Sequence, residues 1–273
     1  MDNRTDAIKT YNDLSHLGNA AGRKRGHIMS NAMAQTSRSF FKKNHFNKSL
    51  IGLDLFCGEG KITNELAQVF GQENRVIGFD IDATSIKIAK EKIALKNDQV
   101  EFLHLENDNW FKNEAYDFIY CRTFLNQFYT PLDLFQKMYS SLKPNGFVLL
   151  ESFDLSNFQC FPQNYAFDRY LELHTALNRV KGTSIKSAVQ LGTSFHMAQF
   201  KKNHIQIVSP AFLPDDCKQI ASLSLESIAT ELLEMELTNQ TELQALLFEL
   251  KTFEKQKNTM ISLPGIYQAV GYK

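Results

Sequence analysis

Short apolar runs alternate with amphipathic stretches along the central part of the chain. Five runs rich in Val, Ile, Leu and Phe predict strands at 50–56, 75–80, 100–106, 116–122 and 147–153. Between them, apolar residues at helical spacing predict helices at 60–70, 84–95 and 132–142. The Pro-Asn-Gly sequence at 144–146 predicts a turn before the fifth strand. Alternation of this kind is typical of a mostly parallel α/β sheet with helices on both faces.

The pattern is less regular on both sides of this region. Residues 1–48 predict an N-terminal helical arm. Residues 155–203 are irregular and rich in aromatic residues, with a helix near 167–180, and we expect them to form an inserted helical cap. A sixth strand at 204–208, helices at about 215–236 and 240–257, and a last strand at 266–272 follow. The sequence therefore predicts one Rossmann-like domain over 49–273 that carries an arm and a cap.

Composition places the chain among ordinary globular proteins. It has 273 residues, of which 43% are hydrophobic and 22% are charged, and its formal net charge is zero. The polar start, Met1-Asp-Asn-Arg, predicts neither a leader peptide nor a membrane span, so we expect a cytoplasmic protein. The four cysteines show no metal-ligand spacing, and we expect no bound metal.

Charge is nevertheless unevenly distributed. Residues 1–50 carry nine Lys/Arg against three Asp, including the run Arg23-Lys24-Arg25, whereas residues 215–249 carry eight Asp/Glu against one Lys. A basic arm could contact RNA. Because no aromatic residues interleave with the basic run, solvated helix faces are the simpler interpretation, and nucleic acid is not the expected partner.

The strongest chemical signal lies where the first predicted strand meets its helix. The sequence Ile51-Gly-Leu-Asp-Leu-Phe-Cys-Gly-Glu-Gly60 is a strand that ends in a glycine-rich turn, and Val76-Ile-Gly-Phe-Asp80 is a second strand that ends on an acid. This arrangement predicts a crevice for a nucleoside, with Asp80 on the ribose hydroxyls. Asp54 and Glu59 bracket the turn, and Thr63 occupies the third glycine position of a dinucleotide fingerprint. A cationic ligand, S-adenosylmethionine, is therefore favoured over NAD.

Four segments resemble the ordered motifs of class I S-adenosylmethionine-dependent methyltransferases, in particular the ubiquinone/menaquinone type. They are Leu53-Asp-Leu-Phe-Cys-Gly-Glu-Gly60, Gly78-Phe-Asp-Ile-Asp82, Tyr116-Asp-Phe-Ile-Tyr-Cys-Arg-Thr-Phe-Leu-Asn-Gln127 and Leu142-Lys-Pro-Asn-Gly146. The closing Gln268-Ala-Val-Gly-Tyr-Lys273 is similar to the antiparallel last strand of that family. The resemblance implies a Rossmann-like seven-stranded sheet and S-adenosyl-L-methionine as cofactor, with S-adenosyl-L-homocysteine as product.

The resemblance also implies roles for individual residues. The methionine end of the cofactor is expected at Asp54, Phe56, Cys57, Gly58 and Gly60. Asp80 is expected on the ribose and Ile81 on the adenine ring. The acid that faces the adenine amine falls on Glu106, beside Asn107, and Arg122 lines the cofactor floor. Gln127, which could accept a hydrogen bond from the cofactor, stands where close relatives often have histidine. Phe56 and Glu106 depart from the glycine and the aspartate that are usual at their positions.

Methyl transfer requires orientation and a dry pocket more than a catalytic triad, and the sequence contains no triad. Candidate groups for orienting or deprotonating an acceptor are Gln127, His196 and Tyr11, with His174 also in the cap. The aromatic cap predicts a small, apolar or aromatic acceptor. The sequence leaves open an RNA or other macromolecule methyltransferase, a non-catalytic S-adenosylmethionine-binding protein, and a homodimer formed through the C-terminal helices.

Overall fold

The computed structural model describes residues 19–44, 49–71, 73–106, 110–122, 131–182, 187–209 and 218–273. The helices are α1 (Ala20–Lys43), α2 (Lys61–Phe70), α3 (Ala83–Ala89), α4 (Pro131–Ser141), α5 (Tyr165–Val180), α6 (Leu191–Met197), α7 (Ile220–Ser227), α8 (Ala229–Glu234) and α9 (Gln240–Glu254). The strands are β1 (Ile51–Leu55), β2 (Arg75–Asp80), β3 (Val100–His104), β4 (Tyr116–Arg122), β5 (Leu142–Asp154), β6 (Cys160–Phe161), β7 (Lys202–Val208), β8 (Met260–Ile261) and β9 (Gly265–Tyr272).

Seven strands form one sheet in the order β3-β2-β1-β4-β5-β9-β7. The pairs from β3 to β5 are parallel, and β9 runs antiparallel to both β5 and β7. The strand order reverses between β1 and β4, so the carboxyl ends of these two strands form the crevice in which such sheets bind ligands. The predicted seven-stranded, mostly parallel sheet with an antiparallel last strand is confirmed.

Helices cover both faces of the sheet. Leu53, Ile119 and Val148 point to one face and form a buried core with α4 and α6. Phe118, Tyr120 and Leu149 point to the other face, where α1, α2 and α3 cover them. A third core joins α5, α7, α8 and α9 to the amino-terminal half of α1 and to Phe153 and Ile266.

Several predicted boundaries require correction. The predicted turn at 144–146 lies inside β5, where Asn145 has a φ of +64° and the register to β4 shifts between Tyr116 and Phe118. The predicted helix at 84–95 is α3 followed by one π-helical turn, Lys90–Ala94. The aromatic segment does not form one cap, because α5 packs with the C-terminal helices while α6 returns to the sheet beside α4.

The N-terminal helix α1 is part of the core. Met33 and Phe41 are fully buried, and α1 packs against α2 and α7. Asn19 caps its first turn by accepting from the Gly22 amide at 2.8 Å, which satisfies an otherwise unpaired donor. Within the arm predicted over 1–48, the described residues form a helix at Ala20–Lys43, and its apolar face contacts both the sheet and the C-terminal helices.

Candidate functional site

The turn after β1 has an unusual backbone. Phe56, Gly58 and Gly60 all have positive φ, at +65°, +56° and +80°. The Gly60 amide donates to the Cys57 carbonyl at 3.1 Å and so closes the turn. Phe56 adopts a left-handed conformation that glycine takes without cost and that other residues avoid. The loop thus keeps a glycine-like shape at Phe56, the position where the resemblance implies a glycine.

The two glycines of this turn have different surroundings. A Cβ atom on Gly60 would lie 2.4 Å from the ring of Phe102, so Gly60 allows α2 to pack on β3. A Cβ atom on Gly58 would have no neighbour within 4 Å among the described residues. Gly60 therefore has a packing role that requires no ligand, whereas the space beside Gly58 is open.

Asp80 connects the turn to the next strand. Its Oδ2 accepts from the Gly58 amide at 2.7 Å, and its Oδ1 accepts from the Asp82 amide at 2.9 Å. Burial raises the pKa of the Asp80 carboxyl, and the two amide hydrogen bonds oppose that rise. Two backbone donors fix the orientation of a buried carboxylate that retains further acceptor capacity beside the open space. Such a group can accept hydrogen bonds from a diol.

Asp54 is the second buried acid of the site, with 2% of its surface exposed. Thr63 donates to its Oδ2 at 2.6 Å. Burial raises the pKa of Asp54 to about 7, against the stabilising effects of Thr63 and the Arg122 charge. Thr63, which replaces a fingerprint glycine, thus orients an acid. An acid held in this way favours a cationic group and disfavours a pyrophosphate.

Cys57 fills space in the loop. Its Sγ would lie 2.9 Å from a Cβ on Gly78, and its amide donates to the Phe79 carbonyl at 3.0 Å. Burial raises the pKa of the thiol well above its ordinary value, with a further rise from Asp54. A thiol in this environment is a poor nucleophile.

His104 links the residues expected around the adenine ring. Its Nε2 lies 2.9 Å from the Ile81 carbonyl and its Nδ1 lies 2.9 Å from Oε1 of Glu106. The Glu106 hydrogen bond, and then the Ile81 carbonyl, raise the pKa of His104. His104 was not among the residues expected in the site, although its position at the end of β3 places it beside Ile81 and Glu106.

A buried carboxylate on β5 was also missed. Glu151 is fully buried, and its oxygens accept from Ser37, Tyr120 and Gln268 at 2.8, 2.6 and 2.6 Å. Gln268 in turn accepts from Gln206 at 2.7 Å. The network joins α1, β4, β5, β9 and β7 beneath α1. The sequence shows Glu151 only as one polar residue in an apolar strand.

Arg122 is the last residue of β4 and lies on the same face of the sheet as Glu151. Its register partner on β5 is Glu151, and its Nη2 donates to Ser30 of α1 at 3.1 Å. Asp54 is in register with Tyr120, two residues before Arg122. The structure therefore brings Asp54 and Arg122, predicted as site residues, to the carboxyl edges of adjacent strands.

Three predicted site residues, Tyr11, Asn107 and Gln127, lie outside the described residues. The structure does not bring His196 to the site, because α6 packs on the face of the sheet opposite α1 and His196 is exposed there. His174 lies on α5, where Asn178 contacts its Nδ1 at 2.9 Å. The position of His196 gives no support for a contact with an acceptor, whereas the role of His174 stays a prediction.

The aromatic residues of the predicted cap are mostly core. Phe158, Phe167 and Tyr170 pack edge to face and are at most 4% exposed. Phe161 and Tyr165 are exposed. These rings consequently give no support for an aromatic acceptor.

The basic run is also interrupted. Arg25 is buried, and its Nη1 lies 3.4 Å from the Ser227 hydroxyl of α7, whereas Arg23 and Lys24 are exposed. Arg25 therefore belongs neither to a basic patch nor to a solvated face. In the described ranges, no group of three or more potential ligands could hold a metal ion, and no helix is long and apolar enough to cross a membrane.

Comparison with known proteins identifies the family. The methyltransferase domain family matches residues 46–207. A demethylmenaquinone methyltransferase of Lactobacillus johnsonii is 28% identical over 174 residues, which cover 56% of this chain and 71% of the enzyme. A malonyl-[acyl-carrier protein] O-methyltransferase of Priestia megaterium is 26% identical over 128 residues, covering 47% of this chain and 46% of the enzyme. The chain thus spans less than half of this second relative.

Solved structures show the same fold at low identity. Phosphoethanolamine N-methyltransferase 2 of Haemonchus contortus, in complex with phosphomonomethylethanolamine and S-adenosylhomocysteine, has a TM-score of 0.61 and 15% identity. The match covers 94% of this chain and 59% of the chain of that enzyme. The cyclopropane synthase MmaA2 of Mycobacterium tuberculosis has a TM-score of 0.55 and 14% identity. This match covers 87% of the present chain and 83% of the synthase.

The sheet order, the site and the family match agree. The chain belongs to the methyltransferase domain family and is a class I S-adenosylmethionine-dependent methyltransferase. Its residues fit the cofactor, because Gly58 borders open space, Asp80 presents a fixed carboxylate there, and Asp54 is a buried acid suited to an ammonium group.

Proposed function

We propose that this chain transfers a methyl group from S-adenosylmethionine to a small-molecule acceptor. The observation that carries the proposal is the hydrogen bond between the Asp80 carboxylate and the Gly58 amide at 2.7 Å, which fixes an acid beside open space at the carboxyl end of β2, next to the turn after β1. Asp80 would hold the ribose, Ile81 and Glu106 would flank the adenine ring, and Asp54 would face the amino-acid end.

When bound, the cofactor would supply a methyl carbon that is activated by the positive charge on sulfur. The chain contributes orientation and exclusion of water. Among the described residues near the loop, Cys57 is unsuited to nucleophilic attack because burial raises the pKa of its thiol. This supports direct transfer without a covalent enzyme intermediate.

The acceptor class is supported by relatives whose names specify demethylmenaquinone and malonyl-[acyl-carrier protein]. The first name specifies a quinone, and the second specifies a malonyl group on a carrier protein. The interruption of the basic run by buried Arg25 reduces support for RNA as the substrate. A small acceptor, free or carried on a protein, is therefore the working hypothesis.

The experiment compares S-adenosylhomocysteine with NAD by thermal unfolding and by isothermal titration calorimetry. Ligand at about a hundred times its Kd stabilises a protein by about 2.7 kcal/mol, which raises Tm by several degrees. We expect a shift with S-adenosylhomocysteine alone that disappears in Asp80→Ala. Asp82→Ala is the matched control, because Asp82 caps α3 through the Thr84 amide and is not expected to contact ribose.

A shift with NAD alone would overturn the assignment. Binding of S-adenosylhomocysteine without methyl transfer to quinol, thiol, amine or carboxylate acceptors would favour a non-catalytic binding protein. Turnover is followed by the appearance of S-adenosylhomocysteine, so the acceptor panel needs no product standard.

A further inference from the structure

The guanidinium of Arg122 is held at one end and unsatisfied at the other. Its Nη2 donates to Ser30 at 3.1 Å, whereas its Nη1 is buried and has no hydrogen-bond partner among the described residues. Buried polar groups are nearly always paired, and an unpaired charged donor is more costly than a neutral one. This nitrogen therefore requires an explanation.

The neighbouring carboxylates do not provide a partner. Glu151, the register partner of Arg122, already accepts from Ser37, Tyr120 and Gln268. Asp54 accepts from Thr63, although the Arg122 charge acts on it at longer range. Within the described parts of the chain, Arg122 makes no ion pair with either acid.

The position of Arg122 points to a ligand. It stands at the carboxyl end of β4, beside β1, at the reversal of strand order where open α/β sheets bind small molecules. Arginine presents several donors in a rigid fork that matches carboxylate oxygens. Ser30 occupies one branch of the fork and leaves the other for an oxygen that the described residues do not supply.

We propose that Arg122 is the oxyanion-binding residue of this site, with Nη1 donating to a carboxylate or phenolate oxygen of a bound ligand and Ser30 orienting the guanidinium. The inference rests on the proposed function and extends it to the charge of the ligand. The oxyanion has two possible sources, the amino-acid carboxylate of the cofactor and the oxygen of an anionic acceptor. In the second case, the cationic guanidinium would lower the pKa of the acceptor and reduce the need for a general base.

The experiment measures affinity by isothermal titration calorimetry for wild type, Arg122→Gln, Arg122→Lys and Ser30→Ala. Two cofactor probes are used, S-adenosylhomocysteine and 5′-(3-aminopropylthio)-5′-deoxyadenosine, which lacks only the carboxylate. Malonate, titrated into the S-adenosylhomocysteine complex, is the acceptor-side probe. Arg38→Gln is the matched control. Arg38 lies on α1, the helix that Arg122 contacts through Ser30, but its side chain is exposed and pairs with Glu65.

If the oxyanion is the cofactor carboxylate, Arg122→Gln weakens S-adenosylhomocysteine about 10-fold to 100-fold, as expected for a charge-assisted hydrogen bond. The same variant then leaves the affinity for the decarboxylated probe unchanged. If the oxyanion belongs to the acceptor, S-adenosylhomocysteine binds the variant normally and malonate binding falls by a similar factor. Arg122→Lys should recover part of either loss, and Ser30→Ala should show a smaller loss.

A purely structural role would weaken both cofactor probes equally and would leave no dependence on the carboxylate, which would overturn the inference. Unchanged affinity for S-adenosylhomocysteine and malonate in Arg122→Gln would also overturn it. If Arg122→Gln does not fold, Arg122→Lys and Ser30→Ala carry the same comparison. Wild type that binds no S-adenosylhomocysteine would instead reject the proposed function itself, and the inference with it.

Discussion

The Ser37 hydroxyl lies 2.8 Å from Oε2 and 3.0 Å from Oε1 of Glu151, and this contact joins α1 to the middle of the sheet. Tyr120 and Gln268 complete the surroundings of the carboxylate. Three neutral donors on three different elements stabilise one fully buried acid. A buried carboxylate without a contacting cation is tolerable only when its oxygens are satisfied in this way.

Glu151→Gln is expected to destabilise the protein by about 1–3 kcal/mol, because the new amide group presents hydrogens to a donor and leaves it unpaired. Urea unfolding followed by circular dichroism measures the change. Glu101→Gln is the control, since Glu101 pairs with Arg75 on the surface and such pairs contribute about 0–1 kcal/mol. Equal effects of the two substitutions would show that the network is not a stabilising element.

The two glycines of the β1–α2 turn give a second prediction. Gly58→Ala and Gly60→Ala both place a side chain at positive φ, which costs about 1–2 kcal/mol. Only Gly60→Ala also meets the Phe102 ring, so it should lower Tm considerably more. Gly58→Ala should fold and bind S-adenosylhomocysteine more weakly, because its methyl group enters the space assigned to the ligand. Thermal unfolding and calorimetry distinguish the two effects, and normal binding by Gly58→Ala would contradict the assignment of that space.

The third prediction concerns His104. Its pKa should lie above the ordinary value of 6.5, because its protonated form donates to Glu106 and to the Ile81 carbonyl. A raised pKa in the folded state favours the fold at low pH, and that contribution is lost as pH rises through the folded pKa. NMR titration of the ring protons measures the value, and Glu106→Gln should lower it. An unchanged pKa in that variant would show that the contact does not persist in solution.

The features that were predicted correctly are those that depend on short stretches of continuous sequence. β2 was predicted with both of its boundaries, because a short apolar run there ends on an acid. The acids and glycines of the β1–α2 turn were also identified, since their spacing reflects one continuous strand, turn and helix. The structure places both acids beside that turn, where Asp80 accepts from the Gly58 amide and Asp54 accepts from Thr63.

Contacts between distant parts of the chain were not predictable in this way. Ser37 is 114 residues from Glu151, and nothing in either local sequence indicates the other. The same limit explains His196, because the face of the sheet to which α6 returns depends on packing rather than on local pattern. The aromatic segment 155–203, which contains Phe158, Phe167 and Tyr170, was expected to form a cap, because composition does not distinguish aromatic residues of a core from those of a pocket.

The last prediction concerns Asp54 and pH. Burial raises its pKa from an ordinary 3.8 to about 7, so the folded protein binds more protons than the unfolded chain between these values. The contribution of Asp54 to the free energy of unfolding therefore decreases as pH rises from about 4 to 7. Asp54→Asn should remove that decrease, as measured by urea unfolding at several pH values. A wild-type protein whose pH profile matches that of Asp54→Asn would show that the acid is already ionised in the folded state.

The affinity for S-adenosylhomocysteine should depend on pH in the opposite direction to the stability. An ammonium group beside Asp54 stabilises the ionised acid, so binding of S-adenosylhomocysteine below pH 7 must displace the proton. We expect affinity to fall as pH decreases from 8 to 6, by at most about tenfold per pH unit for one proton. Calorimetry in buffers of different ionisation enthalpy measures the released proton directly. Thr63→Val should move the dependence to higher pH, because Thr63 donates to the ionised acid. Affinity that stays constant over this range in wild type would place the amino-acid end of the ligand away from Asp54.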